Sequence, residues 1–172
     1  MANQVTYQNL FSESRNNVTA LLTSTNVPDP IDSSAGFRKW IYSREPDVKA
    51  TDFAGYPFII VYPSSVDFEE EKGKGSVDMK SKSTFWDVEI EIVTSDRGYG
   101  NNDGQGLTYI DSISNDVVET FMNKTNRITL SNNSMKFTNP STTSVNIEDF
   151  HQERVYRRSI MLSFQSRIQV SA

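Results

Sequence analysis

From Trp86 to Ile92 the chain alternates without a break: Trp86, Val88, Ile90 and Ile92 fall on one side, Asp87, Glu89 and Glu91 on the other. A period of two marks a β-strand, whose successive side chains point to opposite faces. One face of this strand must enter a core, and the other carries three carboxylates in a row. The C-terminal stretch has the same pattern. Ile160, Leu162, Phe164, Ile168 and Val170 alternate with Ser159, Met161, Ser163, Gln165, Arg167 and Gln169, and only Ser166 interrupts the apolar side. A third segment, Tyr56-Pro57-Phe58-Ile59-Ile60-Val61-Tyr62, is apolar on both sides, which predicts a central strand covered on both faces. Pro57 is expected at its start, and Pro63 is expected to end it.

One helix is expected before the first of these strands in chain order, and another between the second and the third. Tyr7, Leu10, Phe11, Val18, Leu21 and Leu22 fall at spacings of three, four and seven, which predicts an amphipathic helix. Asn3 or Thr6 is its expected cap, and Ser12, Glu13, Arg15, Asn16 and Asn17 its wet face. A second helix is expected over 105–123, with Leu107, Ile110, Ile113, Val117 and Phe121 as its stripe and Asp111, Ser112, Ser114 and Asn115 outward. Residues 26–55 read as a long irregular crossing, rich in turn chemistry at Asn26–Pro30 and Asp32–Gly36, with Phe37–Tyr42 as a short strand. Residues 124–153 are expected to hold short strands around Ile128-Thr129-Leu130 and Ser144–Ile147. The run Asp67-Phe68-Glu69-Glu70-Glu71-Lys72-Gly73-Lys74-Gly75 reads as the tip of a long hairpin leading into the alternating strand. Hairpin-joined strands are antiparallel. The expected fold is therefore α+β, a mostly antiparallel sheet with a long β-hairpin and two amphipathic helices packed on one face, in a single domain over residues 1–172.

Composition narrows the chemistry. The absence of cysteine excludes disulfides, thiolate metal sites and cysteine nucleophiles. A net charge of −5 argues against a bulk electrostatic grip on nucleic acid. No stretch approaches the length of a membrane span and no signal peptide is legible at Met1–Gln4, so no membrane partner is expected. The sequons at Asn17, Asn123 and Asn132 are read as chance matches.

Catalytic patterns are thin. His151 is the single histidine; with Glu148, Asp149 and Glu153 nearby it offers a general base, but it is read as a loop residue. Pro46-Asp47 followed by Glu70-Glu71-Lys72 has the spacing of a PD-(D/E)xK metal-dependent nuclease, whose acids hold Mg²⁺. In that family the acid–lysine pair sits on a core strand rather than at a charged hairpin tip. Asn101-Asn102-Asp103-Gly104 has the flavour of a calcium loop but lacks its further oxygen ligands, and it is read as a turn. No catalytic, cofactor or metal site is expected. Lys72, Lys74, Lys80 and Lys82, and separately Arg154, Arg157 and Arg158, form two basic groups. Subunit–subunit ion pairs are the favoured reading, ahead of ordinary solvation and of contact with DNA.

The order of elements then resembles a known family. An amphipathic helix, a Pro-rich crossing, the apolar strand Tyr56–Tyr62, a long charged hairpin, the return strand Trp86–Ile92, a second helix and the closing strand Arg158–Phe164 are similar to the tail-terminator or tail-completion (neck) proteins of long-tailed bacteriophages, over residues 5–170. The resemblance implies a virion protein, made in the host bacterial cytoplasm, that forms a hexameric ring, ends tail-tube polymerisation and meets the head-side connector. Its partners would be copies of itself, the tail tube protein and a connector or neck protein, with DNA passing through unbound. By position, Phe68, Glu69, Glu70, Glu71, Lys72, Lys74, Lys80 and Lys82 on the hairpin, with Arg157 and Arg158, would serve the subunit interface. Asp87, Glu89 and Glu91 would face the lumen. The length of the 26–55 crossing leaves room for another neck component, a head–tail joining protein. A nuclease, or a monomeric host-side inhibitor with an exposed apolar patch, would be the reading from another class.

Overall fold

The structure is a computed structural model and describes residues 4–6, 8–32, 38–69, 80–96, 104–150 and 153–170. Along the chain come α1 (Leu10–Leu21), β1 (Ile41–Tyr42), β2 (Phe58–Glu69), β3 (Lys80–Ser95), α2 (Gly106–Met122), α3 (Lys124–Asn132), β4 (Lys136–Thr142), β5 (Asn146–Phe150) and β6 (Glu153–Val170). The strands form one six-stranded sheet in the order β1-β2-β3-β6-β4, with β5 also on β6. β1 joins β2 in parallel and every other pair is antiparallel, so the α+β architecture legible in the sequence is the one found.

The alternation in β3 sets the two faces of the sheet. Trp86, Val88, Ile90 and Ile92 are buried with Ile59 and Val61 of β2 and Ile160, Leu162 and Phe164 of β6. The helices lie on this side: Leu10 and Val18 of α1, Ile110, Ile113, Val117 and Phe121 of α2 and Leu130 of α3 belong to the same core. On the other side Phe58, Ile60, Val93 and Val155 make a smaller core, covered by Tyr42, Val48, Phe53 and Tyr56 from the crossing segment. The start of β2 is therefore covered on both faces, as its doubly apolar sequence requires.

Several local expectations are corrected. Pro63 does not end β2. Among the described residues β1 pairs only with Ile59 and Ile60, and beyond them β2 is the edge of the sheet, where a missing N–H breaks no ladder. A bulge between Pro63 and Ser65 absorbs the irregularity, and the strand runs on to Glu69. Ile128-Thr129-Leu130 is helical, within α3. The Asn123 side chain accepts hydrogen bonds from the Thr125 and Asn126 N–H groups, and this cap, with the burial of Leu130, overrides the β preference of the short run. β4 was masked in the sequence by Asn139-Pro140, which the sheet tolerates at its outer edge next to a register shift. On α1 the helix starts at Leu10, later than a cap at Asn3 or Thr6 would give, and the Asn9 side chain accepts from the Thr6 N–H. Phe11 is 57% exposed, while Asn17, expected outward, is buried and bonded to Glu13 O and Asn133. Leu107 is also exposed and Ser114 buried, its hydroxyl donating to Ile110 O.

The start of α2 is fastened to the sheet. The Thr94 hydroxyl donates to Gly106 O at 2.7 Å, and the Asp96 carboxylate accepts from the Gly106 N–H and from the Tyr156 hydroxyl. A Cβ at Gly106 would lie 2.7 Å from the Tyr156 ring and 2.8 Å from the Ser95 backbone. Gly106→Ala should therefore destabilise by about 1–3 kcal/mol through overpacking, against the helix preference of alanine. Urea unfolding of the variant checks the sign.

Candidate functional site

The face of the sheet away from the helices carries the acidic row of β3 and Arg157 of β6. Asp87, Glu89 and Glu91 are half-buried on β3, and each has a partner within the chain. Asp87 accepts from the Ser65 hydroxyl at 2.8 Å and from the Ser163 hydroxyl at 2.6 Å. Glu89 accepts from the Tyr62 phenol, whose pKa is pushed well above the ordinary value first by burial and then by this carboxylate. Glu91 binds Arg157 at 3.1 Å.

Arg157 is the hub of this face. Its guanidinium also meets Glu45 at 2.5 Å and Glu148 at 3.3 Å, so one cation joins the crossing segment, β3 and β5. Burial works against its charge, but the hydrogen bonds to Glu45 and Glu91 outweigh that and leave its pKa above the usual guanidinium value. Three carboxylates around one cation leave the site net negative. A cavity of about 400 Å³ opens beside it, lined by Glu45, Val48, Tyr56, Glu148, Val155 and Arg157. Among the described residues no group of three His, Cys, Asp or Glu is placed to hold a metal ion. The arrangement is an electrostatic fastener under an open, acidic sheet face.

The structure separates the basic group of the sequence. Neighbours on a strand point to opposite faces, so Arg158 lies on the helix side, where it binds Asp111 of α2 at 2.9 Å. Arg154 makes a long, exposed contact with Asp149 at 3.7 Å. Arg157→Met is expected to lose about 2 kcal/mol, because it strands the largely buried Glu91. Arg158→Met should cost less than about 1 kcal/mol, because Asp111 is more than half exposed. Thermal unfolding of the two variants side by side measures the difference.

On the hairpin, Phe68 and Glu69 sit at the end of β2, paired with Thr84 and Ser83, while Lys80 and Lys82 sit at the start of β3, opposite Val170 and Ile168. Glu70, Glu71, Lys72 and Lys74 lie outside the described residues, as do His151 and Asn101–Asp103. Of the nuclease pattern, Asp47 is described: it is exposed and accepts from the Lys49 N–H, and its sequence partners at 70–72 lie outside. Sequence reasoning missed Glu45, Glu148 and Tyr62, because the partners of Arg157 and Glu89 come from segments far apart in the chain and no local pattern links them. It also missed the Asp29–Arg38 pair, where Asp29 was read only as turn chemistry.

No helix among the described residues is long and apolar enough to cross a membrane. Comparison with models of known protein families gives no match, and no curated protein matches the sequence.

Proposed function

We propose that this chain is a structural assembly subunit of the tail-terminator type, which forms a ring at the end of a phage tail tube, stops its growth and meets the head-side connector. The observation that carries this reading is a disproportion of lengths. The 17-residue α2 spans about 25 Å, whereas the 16-residue β3 and 18-residue β6 span about 54–61 Å at about 3.4 Å a residue. Strands in globular proteins usually run to about 10 residues. β3 carries buried residues from Thr84 to Ser95, and beyond Thr84 it stays paired with β6 as far as Lys80 and with β2 as far as Glu69, so the three strands run on as an arm past the buried part of the sheet. Such an arm gains from a neighbour's surface, and a subunit in a ring supplies one.

The acidic row supports the same reading. A lumen that passes DNA without holding it should repel phosphate, and Asp87, Glu89 and Glu91 share the helix-free face. Hydrogen bonds from Ser65, Ser163 and Tyr62 and the ion pair to Arg157 hold these carboxylates in place. The long crossing segment, part of which covers one end of that face, favours a neck component with a head-side contact as the second reading. Negative-stain imaging of the purified protein tests the proposal. Closed six-fold rings with an open centre are the expected result, and a field of single small particles at high protein concentration would count against it.

A further inference from the structure

A ring needs a joint between unlike surfaces, and Arg157 and Arg158 already meet carboxylates of their own chain. Other cations are better placed. Lys124 and Arg127 on α3 and Lys136 on β4 have no carboxylate within ion-pair distance among the described residues. They surround a groove of about 320 Å³ whose apolar wall is Met122, Ile128 and Phe137. Met122 is 48% and Ile128 50% exposed, and the Arg127 guanidinium lies 5.4 Å from the centre of the Phe137 ring. Among the described residues no acidic one lines the groove, in a chain of net charge −5. Apolar side chains left open within a rim of one charge sign mark an interaction surface.

We propose that this groove receives the acidic end of the β2–β3 hairpin of a second copy of the chain. Asp67-Phe68-Glu69-Glu70-Glu71 sets one aromatic among four carboxylates, the chemical complement of an apolar wall between three cations. The exposed Asp67 lies on the part of β2 that has no strand beyond it among the described residues. Groove and acidic run are different patches, so a copy can offer its run to one neighbour and its groove to another, a head-to-tail contact of the kind that closes into a ring. The inference rests on the ring reading and names its joint.

The chain has no cysteine, so Glu69→Cys and Ile128→Cys each introduce a single thiol. Mixed in equal amounts and oxidised, the two variants should give the unlike disulfide-linked pair well beyond the excess over each like pair that random pairing gives, and high salt should reduce the yield. The triple variant Lys124→Glu, Arg127→Glu, Lys136→Glu should weaken self-association by about tenfold or more. Adding Glu69→Lys, Glu70→Lys and Glu71→Lys to the same chain should restore it, which a merely misfolded variant would not do. If the natural chain assembles but the unlike pair is not enriched and charge reversal leaves assembly unchanged, the groove is not the joint, and the ring reading stands without it. If the natural chain does not associate at any concentration, both fail.

Discussion

Arg38→Ala is expected to lose about 3–5 kcal/mol of folding stability, a fall in Tm of roughly 10 °C for a chain of this size. Arg38 grips the Asp29 carboxylate with both arms of its guanidinium, at 2.6 and 2.8 Å, and the two side chains are 11% and 5% exposed. The same guanidinium donates to the carbonyls of Gly55 and Pro57 at 2.9 Å, immediately before β2. Alanine would strand a buried carboxylate and free these carbonyls together. Lysine would not repair the loss, because it lacks the planar fork that reaches carboxylate and carbonyls at once. The Asp29→Ala, Arg38→Ala double variant should be less destabilised than the sum of the single ones, since it leaves no orphaned charge. Urea unfolding of the four proteins gives the coupling directly. A loss below about 1 kcal/mol in Arg38→Ala would mean that the crossing segment holds its path without this clamp.

Phe164→Ala is expected to cost a similar amount, about 3–5 kcal/mol. Phe164 is 1% exposed and packs on Trp86 of β3, with ring centres 5.8 Å apart, and on Phe137 of β4 at 5.6 Å. Its removal opens a cavity where three strands meet beneath the helices. The midpoint in urea should fall with little change in slope, the sign of a weaker core in an otherwise unaltered fold. An unchanged midpoint would require these strands to close around the gap.

What the sequence made legible follows from the range of the forces concerned. β3, β6 and the start of β2 were readable because burial on a sheet face imposes a period that the sequence repeats residue by residue. The buried part of α2 was readable for the same reason. β4 was not, because an edge strand can carry Pro140 and exposed polar residues, and so resembles a turn. α3 was not, because its signal is the Asn123 cap rather than a stripe: Leu130 is its one buried residue. The acidic row of Asp87, Glu89 and Glu91 was visible as a row, but its partners Tyr62, Ser65, Arg157 and Ser163 were brought to it by strand register. Arg157 and Arg158 looked like one patch and are divided by the pleat. The groove at Met122, Ile128 and Phe137 joins a helix end, a second helix and an edge strand, and two of these three elements were not foreseen.

We propose above all that this chain is built to assemble with itself. The most direct test is the mass in solution, by light scattering across protein concentration and salt. Six chains of 19.5 kDa give about 117 kDa, and the expected result is a species of that mass that grows with concentration and dissociates at high salt. A mass of one chain at every concentration and salt would contradict it.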